Sequence, residues 1–467
     1  MTGRLAWLAA AAVLAPALLS APQPLPPVPS AAQVAWQQME KNAFVHFGPN
    51  TFTSAEWGTG REDPAVFNPT AFDARQWVRT FKEAGFKGVI ITAKHHDGFC
   101  LWPSSQSTHT IAKSPWRNGG GDVLRDLSDA CREAGVNFGV YLSPWDRNHP
   151  AYGTPQYNQV FAAMLEEVLG HYGPVFEVWF DGANGEGPNG KKQVYDWPLF
   201  ISTVRRLQPD AVIFSDAGPD VRWVGNERGE GGPTSWSLIE RARYVPGTDL
   251  SAELTAGFRD GPDWVPPECD VSIRPGWFHR SSEDVKVKSA HVLADLYEHS
   301  VGRNCQLLLN VPPDARGLIA APDQNALAGM HRILSDVYGH NLLQSDRSAA
   351  KPTADAAAVT DGKLDTYWSP PDGVSTGALV VTVQTTVTFN RIVLQEPIQL
   401  GQRIASFRIE AWTNGAWTSI ADGTTVGYKR ILSVPLTSSD RIRVTVLDAR
   451  GTPLLAEVGA YRADPVS

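Results

Sequence analysis

Apolar and polar positions fall into two alternating patterns between about residues 40 and 345. Short apolar runs recur: "AFVHFG", "GVIITAK", "NFGVYLS", "VFEVWFD", "AVIFSD", "CDVSIRP" and "CQLLLNV". Their length suits buried strands. Between most of them lie stretches of helical period, among them "DARQWVRTFKEAG", "GDVLRDLSDACREAG" and "YNQVFAAMLEEVLGHYG". The first two close on Gly, as helix C-termini do, and Asp122 stands as N-cap of the second. Strands alternating with helices predict a parallel sheet. Seven or eight such units predict a (β/α)8-like barrel, irregular in places. An open doubly wound sheet is the alternative, but no GxGxxG follows any of the strands.

The helical period stops near "QSDRSAAKPTADAAAVTDG". Beyond it, "GALVVTVQT", "VTFNRIVLQEP", "ASFRIEAWT", "YKRILSVPL" and "RIRVTVLD" are separated by turn-rich "TNGA" and "ADGT". That pattern predicts an antiparallel β-sandwich. The expected organisation is a signal peptide over 1–21, a Pro-rich linker over 22–35, a barrel over 36–345 and the sandwich over 346–467.

The N-terminal reading rests on "MTGR", the apolar "LAWLAAAAVLAPALL", small residues and "PQPLPPVPS". This is the layout of an export signal, interrupted by Pro16 and too short for an ordinary spanning helix. A retained anchor is the alternative. The expected product is extracellular, with no membrane span once the signal is removed. A net charge of −8 with 19% charged residues argues against a nucleic-acid partner. The four cysteines, Cys100, Cys131, Cys269 and Cys305, form no CxxC pair, so a structural zinc site is not expected. Their pairing is left open, as is the oligomeric state. The 16 Trp and 11 Tyr suit sugar faces but also fill cores.

Polar and aromatic side chains collect where the apolar runs finish. His46 lies in the first run, and Lys94, His95, His96 and Asp97 follow the second. Tyr141, Ser143, Trp145 and Asp146 end the third, Trp179 and Asp181 the fourth, and Asp216 the fifth. Arg274 and Trp277 follow a later one. In a barrel those ends converge on one face, where active sites sit. The pair His95–His96 admits three readings: zinc ligands, one buried and one surface histidine, or hydrogen-bonding groups for sugar hydroxyls. Adjacent strand residues point to opposite faces, which disfavours one shared ion. A glycosidase needs two carboxyl groups. Asp181, following two aromatics and preceding Gly182, is the candidate nucleophile; a helix cap is its ordinary alternative. Glu227 in "RWVGNERGEGG" and Glu268 in "PPECDVSIRPGW" compete for the acid, and Asp97 and Asp216 are weaker options.

"FVHFG", "SAEWG", "TAKHHDGFCLWPS", "YLSPWD" and "WFDG", in this order, resemble the α-L-fucosidases of glycoside hydrolase family 29. The resemblance implies a nucleophile at Asp181 and fucose binding by His46, Glu56, Trp57, His95, His96, Tyr141 and Trp179. "FSDAGPDVRWVGNERG" and "PPECDVSIRPGWF" resemble the subgroup acting on α-1,3- and α-1,4-linked fucose of Lewis-type glycans. That resemblance implies Glu227 as acid/base, with Glu268 second, and Glu268, Arg274 and Trp277 shaping the pocket. It implies double displacement with retention, and fucosylated oligosaccharides and glycoconjugates as substrates. No cofactor or catalytic metal is expected. "VTDGKLDTYWSPP" resembles discoidin-like modules, where a structural calcium near "DGKLDT" is conceivable. A broad α-L-fucosidase that includes α-1,2 links, or a non-catalytic fucose-binding protein, remain alternatives.

Overall fold

Alternation with period two decides how residues 41–310 are arranged. Along β1 (Lys41–Val45), Ala43 and Val45 join the cluster between strands and helices, while Phe44 joins the cluster inside the ring of strands. The same split runs through β2 (Gly88–Lys94), β3 (Asn137–Leu142) and β4 (Glu177–Phe180). It continues through β5 (Val212–Ser215) and β6 (Val221–Trp223). A short antiparallel pair, β7 (Leu238–Ile239) and β8 (Asp263–Trp264), interrupts the series before β9 (Pro267–Ser272) and β10 (Gln306–Asn310). Eight parallel strands close in the order β1-β10-β9-β6-β5-β4-β3-β2. Successive residues of a strand face opposite sides, so both faces need burial. The strands accordingly read as apolar runs.

The computed structural model describes residues 23–247, 251–344 and 354–464. The segment read as a signal peptide lies outside them. Nine α-helices occur among the described residues: α1 (Ala31–Met39), α2 (Pro49–Thr53), α3 (Ala74–Glu83), α4 (Val123–Ala134), α5 (Pro155–His171), α6 (Trp197–Leu207), α7 (Ser251–Ala256), α8 (Ala290–His299) and α9 (Ala321–Tyr338). The first begins inside the Pro-rich segment, where Ser30 and Gln33 form a reciprocal capping box. Asp73 and Asp122 cap α3 and α4, and Gly135 ends α4 in the left-handed conformation. No α-helix separates β5 from β6, and β6 has only three residues, which is where the barrel is irregular. None of the described helices is long and apolar enough to cross a membrane.

The remaining strands, β11 (Gly377–Gln395), β12 (Ile404–Thr413), β13 (Ala416–Gly423), β14 (Arg430–Ala449) and β15 (Glu457–Tyr461), hydrogen-bond into one antiparallel sheet. Its two long strands break register between Thr382 and Val387 and again between Phe389 and Arg391. Both halves of β11 feed one core, with Leu379 and Val381 meeting Ile392 and Leu394. The expected sandwich is thus a single sheet folded over itself at bulges, which bend a strand where a residue is left unpaired. In "DGKLDT" the Asp361 carboxylate accepts from Lys363 N (3.0 Å) and from the Thr366 hydroxyl (2.9 Å), closing its own loop. A disulfide links Cys269 and Cys305, tying neighbouring β9 to the residue before β10. Among the described residues Cys100 and Cys131 are free and buried.

Candidate active site

The inward-facing residues of the strands stack in layers, and the layer decides the chemistry available to each. On β4, Glu177, Trp179 and the following Asp181 share the inner face. Glu177 is at the floor: it accepts from Trp36 Nε1 (2.7 Å) and has no solvent exposure. Trp179 is one layer up, stacked on Phe214 at 3.9 Å and on Tyr141 at 5.2 Å. Asp181 is at the mouth, with a quarter of its side chain exposed. Its Oδ1 accepts from Ala183 N (2.7 Å) and its Oδ2 from the Tyr141 hydroxyl (2.9 Å). The two bonds fix the direction of the carboxylate.

The histidines stand on the other side of that carboxylate. His96 Nε2 is 3.8 Å from Asp181 Oδ2, and its Nδ1 meets the Ser143 hydroxyl at 2.7 Å. Ser143 gives its own proton to Trp145 O (3.0 Å), so the network assigns the His96 proton to Nδ1. His46 Nδ1 lies 2.9 Å from Asn310 Oδ1, while Asn310 Nδ2 donates to Ser272 Oγ and Trp277 O. The amide orientation therefore places the His46 proton on Nδ1 as well. Burial pushes His46 down to about 3 and His96 to about 4, and holds His95 well below the ordinary imidazole range. All three are neutral at neutral pH. The free Nε2 of His46 and of His96 is an acceptor for hydroxyl groups, while the Tyr141 proton is given to Asp181. The His95 and His96 rings lie 4.2 Å apart, although strand geometry alone would part them. The strand ends at Lys94, and the turn that follows brings both rings to the mouth. Among the described residues no group of three or more His, Cys, Asp or Glu side chains is gathered to hold a metal ion.

A cavity of about 610 Å³ opens beyond Asp181, lined in part by Trp179, Asp216, Trp223, Glu227 and Asp270. Glu227 follows the C-terminal end of β6. Burial, and then the charge of Asp181, push its pKa up. The same two causes push Asp216 up to about 6. Asp270, bonded to Trp223 Nε1 (2.8 Å), is held well above the usual carboxylate range by burial and by Glu227. One carboxylate bonded to a tyrosine, beside a second carboxyl whose pKa is raised, is the pairing that acid-assisted displacement requires.

Glu56 lies at the rim, accepting from Trp277 N (2.6 Å) and pairing with Arg280 (2.6 Å). Trp57 is 55% exposed, with its ring near His96 and Trp145, a platform open to a ligand. The Trp277 ring packs 5.0 Å from His46. Two expected pocket residues stand behind it instead. Glu268 is fully buried at the floor beside Glu177 and accepts from Trp179 Nε1 (2.8 Å), so it meets no ligand in the cavity. Arg274 is enclosed by Asp323 (2.9 Å from Nε) and Asp284 (2.8 Å). Gly182 makes room for its neighbours: a Cβ there would lie 2.0 Å from Asp216 Oδ2.

Breaking the Arg274 pair leaves Asp323 buried and uncompensated, which costs about 3–5 kcal/mol. Arg274→Ala is therefore expected to lower the melting temperature by several degrees. An unchanged melting temperature together with a raised KM would return Arg274 to ligand contact.

Residues 27–339 match a family described as Alpha-L-fucosidase, and residues 344–458 match the F5/8 type C domain. The chain is similar to Alpha-L-fucosidase 1 of Arabidopsis thaliana, 44% identical over 94% of this chain and 88% of the relative. Among solved structures it is similar to a glycoside hydrolase 29 family member from an unknown rumen bacterium. That match is 40% identical over 95% of this chain and 79% of the other, with a TM-score of 0.85. It is also similar to a Ruminococcus gnavus GH29 fucosidase in complex with fucose. Here the identity is 33%, the coverage 95% and 96%, and the TM-score 0.86.

Proposed function

The chain belongs to the α-L-fucosidase family, glycoside hydrolase family 29, and from that membership we propose an exported, retaining exo-enzyme that removes α-1,3- or α-1,4-linked L-fucose from N-acetylglucosamine in Lewis-type glycans. The observation that carries the reading is the pairing of Asp181, bonded to Tyr141, with Glu227 on the wall of one cavity. In the first step Asp181 attacks the anomeric carbon while Glu227 gives its proton to the departing oxygen. In the second, Glu227 takes a proton from water, which releases fucose with its configuration retained.

The fucose hydroxyls would meet the acceptor nitrogens of His46 and His96. A relative solved in complex with fucose supports a fucose-binding pocket here. Selectivity for branched glycans is supported by the extent of the cavity past Asp181 to Trp223 and Asp270, which leaves space beyond one sugar ring. Export is supported by the Cys269–Cys305 disulfide, since such bonds persist in oxidising compartments. A broad specificity that includes α-1,2 links is the nearest second reading, favoured by the exposed Trp57 at the rim.

The test is fucose release from a Lewis a or Lewis x trisaccharide, run beside 2′-fucosyllactose and an aryl fucoside. Release from the trisaccharide and not from 2′-fucosyllactose is expected. Equal release from all three would keep the activity and remove the linkage selectivity.

A further inference from the structure

The segment that carries Glu227 does not end in the barrel. After the turn at Asn226–Glu230 it runs outward, and Gly231 is held by His299 O (2.8 Å) and by Arg303 Nη1 (2.9 Å). From Pro233 to Ser237 its hydrogen-bond partners come largely from the C-terminal domain. Pro233 O accepts from Arg430 Nη1 (2.9 Å) and from the Thr424 hydroxyl (2.8 Å). Ser235 N donates to Thr425 Oγ1 (2.8 Å), and Ser237 N donates to Gln402 Oε1 (2.7 Å). Gln402 Nε2 returns a bond to Ser235 O (2.9 Å). Ser235, Ser237 and Gln402 have no solvent exposure, and Thr425 has 1%. A buried peptide N–H without an acceptor is costly, so these donors need the C-terminal side chains.

The barrel side of the clamp is bound to the same module. Asn304 donates to Ser235 O (3.1 Å) and to Ser237 Oγ (3.1 Å). Its own N–H reaches Lys429 O (3.0 Å), and Tyr428 N reaches its Oδ1 (2.8 Å). Arg303, which holds Gly231, forms a bridge with Arg430. Residues 424–430 with Gln402 therefore fasten the far end of the acid-bearing segment.

We propose that Gln402 and Thr425 of the C-terminal domain are positioning residues for the general acid, so that this domain is part of the hydrolytic machinery through the Glu227 segment. The inference rests on the reading of Glu227 as the acid. It predicts an effect that depends on the leaving group, which general loosening of the barrel would not produce. A sugar leaving group needs the proton; a dinitrophenolate does not.

The experiment uses the full chain with Thr425→Val, Thr425→Ser and Gln402→Met. Each is assayed on a fucosyl-N-acetylglucosamine disaccharide and on 2,4-dinitrophenyl α-L-fucoside, with Glu227→Gln as reference and thermal melting as the check on folding. For Thr425→Val and Gln402→Met, kcat/KM on the disaccharide is expected to fall roughly tenfold to a hundredfold, carried by kcat, as misplacement of a reacting group does. On the aryl fucoside the change stays within about twofold. Thr425→Ser, which keeps the acceptor, restores the disaccharide rate. Equal losses on both substrates, or no loss on either, would overturn the inference. A selective loss in Glu227→Gln without one in Thr425→Val would overturn it while the acid assignment stands. An unselective Glu227→Gln would remove both. If Gln402→Met does not fold, the near-isosteric Thr425→Val decides.

Discussion

Asp181→Asn is expected to fold as the native chain does and to lose on the order of 10⁴–10⁶ of kcat, as removal of a nucleophile does. The substitution keeps the shape of the side chain and leaves Oδ1 able to accept from Ala183 N. Only the Tyr141 contact must reverse its donor and acceptor, a change of about 1 kcal/mol. The lost quantity is the anionic oxygen that attacks the anomeric carbon. Fucose should still bind, because His46, His95 and His96 are untouched. Calorimetric titration with fucose separates the two effects. Labelling gives an independent check: an activated 2-fluoro-fucoside should lose its leaving group and add one 2-fluorofucosyl mass to the native chain and none to Asp181→Asn. A variant with a tenth of native activity would move the nucleophile elsewhere, and Asp216, whose pKa is raised to about 6, is the next carboxyl along the cavity wall.

The site was legible wherever a polar residue closes a long apolar run. His46, Tyr141, Trp179 and Asp181 all follow that rule, because a barrel strand with two buried faces reads as continuous apolar sequence and its end stands out. Asn310 closes "CQLLLN" in phase with Leu308 and was available to the same rule. It was passed over because an amide carries no chemistry by itself; here it sets the His46 tautomer. The eighth strand was hidden, since β6 has three residues, one of them Arg222, and three residues carry no period. With the strand went the reason Glu227 reaches the mouth. Glu268 and Arg274 failed in the opposite sense. Their residue types suit a sugar site, but Glu268 lies at the floor layer of β9 and Arg274 just past its end, and burial rather than identity decides what each can touch. The bonds from Gln402 and Thr425 to the Glu227 segment join residues 165 and 190 positions apart, which no local pattern encodes.

The second large effect concerns Glu227. Glu227→Gln removes the proton donor while keeping the side chain's shape, and the expected loss on an oligosaccharide is about 10²–10⁴ in kcat/KM. The pH profile should change with it. Burial and the Asp181 charge raise the Glu227 pKa, so the protonated, competent form persists to higher pH than an ordinary carboxyl group would allow. Activity is therefore full below the raised pKa and falls as pH rises through it, giving the alkaline limb of kcat/KM. In Glu227→Gln that limb should disappear. Asp270 lines the same cavity, and burial, then the charge of Glu227, hold its pKa well above the usual carboxylate range. A Glu227→Gln profile that keeps its alkaline limb would identify a different acid, and the buried position of Glu268 makes Asp270 or Asp216 the carboxyl to substitute next.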